Sequence, residues 1–121
     1  KSNLDLNKTY KGIKISSGNS FVHETESQVI LNGSYNINFT MDLVEKDMTL
    51  FNNLSKKLGA TLEISPLVLN IFKDGRDKFG SRAWSSMIVK RMEDKCNINF
   101  RAEGFPAELV DNEPKDKGYE I

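Results

Sequence analysis

From Thr40 to Leu58 the chain reads as one long amphipathic helix with a signal at each end, and this stretch constrains the fold more than any other. Thr40 is a residue type that caps helix N-termini, while Phe39 before it and Val44 after it suit a hydrophobic staple. At about 100° per residue, Met41, Val44, Met48, Phe51 and Leu58 fall along one stripe, and Leu43, Leu50 and Leu54 along the next. So wide an apolar arc predicts a central helix. Gly59 then supplies a left-handed C-terminal position that a larger residue adopts at greater cost.

The rest of the chain is punctuated in the same way. Leu6, Tyr10 and Ile13 have helical spacing, with Asp5 or Asn7 placed to accept from the first free amides, so a helix is predicted there that ends near Ser17 and Gly18. Asn19 and Ser20 restart the chain, and Phe21, Val22, Val29 and Ile30 form a stripe that Asn32-Gly33 stops. Ser65-Pro66 predicts a further helix through Leu67, Val68, Ile71, Phe72 and Phe79 to Gly80, weakened in its middle by Gly75. A last helix is expected from Ser85 to about Cys96, with Ile88, Val89 and Met92 inward beside Trp84. Pro106, Pro114, Gly104, Gly118 and the polar run Asp111 to Lys117 make residues 97–121 an extended, irregular tail. The fold class is all-α, and 121 residues suit one domain spanning 1–121.

Charge narrows the partners. Lys plus Arg and Asp plus Glu both total 17, so no overall field draws the chain to nucleic acid or an anionic membrane. Trp84 and the scattered lysines form no interleaved basic patch. A hydrophobic fraction of 38% is modest for a self-contained core, which points to contacts outside the chain. Cys96 is the single cysteine, so neither an internal disulfide nor a zinc set is expected, and a reducing cytoplasm is the default. No apolar run approaches the roughly 20 residues that span a bilayer, and Lys1, Ser2 and Asn3 begin no signal-peptide core, so the protein is expected either to be cytosolic or to have its targeting segment outside this sequence.

Four places could carry chemistry. Asp47 falls inside the apolar arc of the long helix, where a carboxylate needs partners; it is either a structural acid or an acid lining a site. Phe39 and Lys46, seven residues apart, could with Asp47 hold a flat, anionic ligand at the helix entrance; spacing alone favours a staple and a solvated lysine. His23 has the side chain of a general base, but no nucleophile constellation accompanies it. The turn Ser16-Ser17-Gly18-Asn19-Ser20 could receive an anion, or could simply place Ser20 as an N-cap. Dinucleotide-loop, P-loop and zincin motifs are absent from the sequence.

The stretches SSGNSFVHETESQVILNG, NINFTMDLVEKDMTLF and LGATLEISPL, in that order, resemble the C-terminal helical domain of β-hydroxyacid dehydrogenases. That family includes 3-hydroxyisobutyrate dehydrogenase and tartronate semialdehyde reductase, and its helical domain is like that of 6-phosphogluconate dehydrogenase. The most specific element is Phe39, Leu43, Lys46 and Asp47 on a helix followed by Leu-Gly and a Pro-containing helix start. The likeness runs over about residues 4–80, and Phe79 to Ile121 is similar to an extension found in one branch.

The resemblance implies hydride transfer between NAD or NADP and a small β-hydroxy acid, with an N-terminal Rossmann domain holding the cofactor. It implies Lys46 and Phe39 as cofactor-binding residues, and Asp47 and Ser20 as substrate-pocket residues. The family's catalytic lysine precedes the matched segment. Neither Lys1 nor Lys8 has its Gly-rich lead or following Asn, so no catalytic residue and no metal ligand is assigned within the chain. The chain is therefore expected to be incomplete as an enzyme, cytoplasmic and part of a homo-oligomer. The alternative is a stand-alone, non-catalytic helical interaction module. The choice between NAD and NADP rests on a loop outside this sequence.

Overall fold

Asp5 begins the first helix by accepting the Lys8 amide at 3.0 Å, and Ser20 begins the second by accepting the His23 amide at 3.0 Å. The computed structural model describes residues 2–109. They form α1 (Leu6–Lys14), α2 (Phe21–Asn32), α3 (Met41–Lys57), α4 (Ile64–Phe79), a 3-10 segment (Ser85–Val89) and α5 (Lys90–Cys96). Among the described residues there is no strand, only an isolated antiparallel bridge between Thr40 and Trp84. The all-helical expectation therefore holds. Gly33 closes α2 at φ 95° and Gly59 follows α3 at φ 69°, both left-handed as their positions require.

Several local expectations are corrected. α1 ends at Lys14 and passes into a turn before Ser17. Thr40 occupies the N-cap position of α3 without capping it: its hydroxyl bonds the Asp42 carboxylate instead. The first amides of α3 are met by another loop, Met41 N donating to Ala83 O at 2.9 Å and Asp42 N to Ser81 O at 3.0 Å. α4 begins at Ile64, so Ser65 and Pro66 lie inside its first turn, and the Ser65 hydroxyl is buried without a hydrogen-bond partner. Pro66 is tolerated there because first-turn amides lack intrahelical acceptors. Gly75 is an approach point as well as a weak helix former, since a Cβ there would stand 2.5 Å from Ile88 Cδ1. The last helix is split, a 3-10 segment leading into α5, and Met92 is exposed while Glu93 takes the interior position.

α1 packs on α2, and α3 on α4. The 3-10 segment is the hub that touches α2, α4 and α5. On α3 the buried residues Met41 and Asn52 share a four-three spacing with Glu45, Met48 and Ser55, which defines the face turned to α4. Glu45 completes it with an ion pair to Arg76 at 2.6 Å, while Arg91 of α5 reaches Asp74 of α4 at 2.5 Å. No helix of the described residues is long and apolar enough to cross a membrane.

Residues 97–109 contain no regular element, yet they do not trail away. Ala102 N donates to Leu31 O at 3.0 Å, Asn32 Nδ2 to Phe105 O at 2.8 Å, and the Phe105 ring meets Tyr10 edge-on at 5.1 Å. This strap ties α1 and α2 to the rest of the chain. The tail expectation beyond residue 109 lies outside the described residues.

Candidate functional site

At the start of α3 a ring, a cation and an acid occur within a short length of helix. Phe39 stands just before it and is 37% exposed. Lys46 and Asp47 follow about two turns later, roughly 10 Å along the axis at 1.5 Å per residue. The Lys46 ammonium lies 2.7 Å from Asp47 Oδ1, with the side chains 59% and 54% exposed.

The burial expected for Asp47 is thus corrected: its side chain is open to solvent and meets Lys46 only at the charged tips. Asp47 does lie within the apolar arc, but about 120° round from the Met41–Asn52 face that packs on α4. Its neighbours on the projection, Phe51, Leu54 and Leu58, are exposed with it. Periodicity identified the arc correctly; only one half of it is covered here.

The helix start itself is firmly held. Ser85 N donates to Phe39 O at 2.8 Å, beside the Thr40–Trp84 bridge. Asp42 accepts from the Thr40 hydroxyl, from Leu43 N at 2.9 Å and from Arg82 Nη1 at 3.2 Å. The Thr40 hydroxyl first, and then Arg82, hold the Asp42 carboxyl below its ordinary value against a smaller opposing effect of desolvation.

Ser20 belongs to a different helix start. Its hydroxyl accepts the His23 amide, so it is an N-cap, on α2 rather than on α3 with the other three residues. His23 is similarly occupied: Nε2 lies 3.0 Å from Tyr10 O, Nδ1 lies 3.2 Å from Ser27 Oγ, and the ring stacks on Tyr10 at 4.9 Å. Among the described residues no cluster of His, Cys, Asp and Glu could hold a metal ion.

The sequence reading missed the buried acid of this fold, Glu93, which is 2% exposed. It accepts from Phe100 N at 2.7 Å, Arg101 Nη1 at 2.8 Å and the Tyr35 hydroxyl at 2.8 Å. Burial pushes its carboxyl up, and those three donors together outweigh burial and hold it below the ordinary value. A signal was present: Val89, Glu93 and Cys96 share one helical face.

Fold and site together define an all-helical domain that keeps the Lys46–Asp47 ion pair on the surface of α3 and buries a different acid, Glu93, in its frame. The sequence profile described as the NAD-binding domain of NADP-dependent 3-hydroxyisobutyrate dehydrogenase matches residues 1–109. The chain belongs to this family of nicotinamide-dependent dehydrogenases. No curated protein matches it.

Proposed function

We propose that this chain is the substrate-side helical domain of an NAD(P)-dependent dehydrogenase acting on a small β-hydroxy acid, working with a Rossmann domain in the full-length protein. Membership of the family carries the reading. The geometry supports it, because Phe39, Lys46 and Asp47 are exposed rather than consumed by the domain's own core.

An ammonium and an aromatic ring suit the anionic and flat parts of a nicotinamide dinucleotide. When bound, the nicotinamide supplies the centre that takes or gives the hydride. Lys46 offers a charge for an anionic group of the cofactor, Phe39 a ring to lie against its flat part, and Asp47 holds Lys46 in place while facing the substrate side. Ser20 lines the substrate pocket in this reading, its hydroxyl free to accept one bond more than the cap uses. The proton is moved by a lysine outside these residues. The single cysteine suits a reducing cytoplasm, and the protein works as a homo-oligomer.

In the full-length protein, Lys46→Ala should raise KM for the cofactor about tenfold or more, the loss expected for one charge-assisted hydrogen bond. Folding stability should hardly move, because the side chain is exposed. Unchanged cofactor kinetics would remove Lys46 from the site.

A further inference from the structure

The loop between α2 and α3 is held more tightly than a connection needs to be. Gly33, Tyr35 and Asn38 adopt φ of 95°, 56° and 57°. Glycine and asparagine adopt such angles readily, but a bulky tyrosine does so only when its surroundings over-determine it.

Every polar group of Tyr35 has a partner, and the residue is 5% exposed. Its amide donates to Val29 O at 3.1 Å, and its carbonyl accepts from Ser86 Oγ at 2.7 Å. Its hydroxyl donates to Glu93 Oε2 at 2.8 Å and accepts from Arg101 Nη2 at 2.5 Å. Lys90 and Arg101 lie over the ring at 5.9 and 5.1 Å.

The far end of the loop is held from the same place. Ser86 bonds Tyr35 O while its neighbour Ser85 bonds Phe39 O, so two consecutive residues of the 3-10 segment fix both the strained tyrosine and the ring-bearing exit. Phe39 is the last side chain of the loop before the Thr40 bridge.

We propose that Tyr35, clamped by Glu93 and Arg101, is a positioning residue that sets Phe39 against the nicotinamide; this rests on the reading of Phe39 as a cofactor contact. The clamp acts through the backbone. It fixes where the loop leaves the interior, and so where the Phe39 ring is presented.

The test uses the full-length protein with Tyr35→Phe, which removes one hydroxyl and keeps the ring, and with Phe39→Ala in parallel. Tyr35→Phe should raise KM for the cofactor about five- to tenfold with kcat changed less than about twofold. Amide exchange of residues 34–40 should quicken while that of α4 stays unchanged. Should Tyr35→Phe fail to fold, Arg101→Lys at the more exposed edge of the cluster carries the same test. A Tyr35→Phe protein with normal cofactor KM, beside a Phe39→Ala protein that binds cofactor poorly, overturns the positioning role and leaves the Phe39 reading standing. A raised KM with unchanged loop exchange overturns it too. If Phe39→Ala leaves cofactor KM unchanged, the Phe39 reading falls and the proposal with it.

Discussion

Glu93 and Asp47 show what burial does to two carboxylates in the same domain. Glu93, 2% exposed, survives as an anion because three donors converge on it. Its pKa lies below the ordinary carboxylate value, so the unfolded chain binds the proton more readily than the folded one. The stabilisation is therefore complete above the ordinary carboxylate pKa and is lost as pH falls through the lowered, folded value. Glu93→Gln should flatten the fall in urea stability below about pH 5 relative to the parent protein. Parallel pH dependences for the two proteins would show that the network carries no such linkage. At neutral pH, Glu93→Ala should cost about 3 kcal/mol, since it strands Arg101, Tyr35 and the Phe100 amide together. Sequence reasoning chose Asp47 as the interior acid because periodicity locates an apolar arc without saying which half is covered. Glu93 stays hidden because the partners that let it be buried are non-local: Tyr35 lies far back in the chain, and Phe100 and Arg101 lie in the segment that reads as an irregular tail.

Helix boundaries were the most legible feature, because their signals are local chemistry: Ser20 at the start of α2, Gly33 at its end, Gly59 after α3 and Gly80 after α4. Thr40 and Ser65 misled for a common reason. Each is a good capping residue type, but the carbonyls of Ser81 and Ala83 serve α3, and α4 starts one residue before Ser65. That residues 97–109 are irregular is legible in Gly104 and Pro106; where they dock is not, because their hydrogen bonds run to α2 and their ring contact to α1, far back in the chain, where no sequence window reaches. Phe105 gives it a measurable role, since its ring lies edge-on to Tyr10 at 83° while its carbonyl holds Asn32. Phe105→Ala should destabilise the domain by about 1–2 kcal/mol, less than full loss of a buried ring because the residue is only half-buried. The loss should fall unevenly. Amide exchange in α1 should rise first, because α1 packs principally on α2, while α3 and α4 keep their mutual contact. Equal acceleration across all helices would mean that the strap stabilises the domain only globally.

At the scale of the whole molecule the open question is what covers α3. Leu50, Phe51, Leu54 and Leu58 are 51 to 71% exposed, and Ile64 and Leu67 of the packed neighbour α4 are exposed too. A cluster of exposed apolar side chains is the usual mark of an interface, and the equal totals of acidic and basic residues leave no net charge for copies to repel. The proposed oligomer would use this face, whether the covering surface is a second copy or another helix of the full-length protein. Sedimentation equilibrium of the 121-residue chain should show mass rising with concentration, and Leu54→Glu should shift it to monomer. Leu54 is a discriminating position because it is exposed: the substitution should change folding stability by no more than about 0.5 kcal/mol, so a lost oligomer reports association rather than unfolding. A chain that stays monomeric at every concentration would remove self-association and leave another helix as the cover. Either cover would also pass beside Asp47, which projects between Phe51 and Leu54, and would form one side of the substrate cleft that Asp47 faces in the proposed reading. Burial there would strengthen the Lys46–Asp47 attraction, so association and the electrostatics of the proposed cofactor contact should change together.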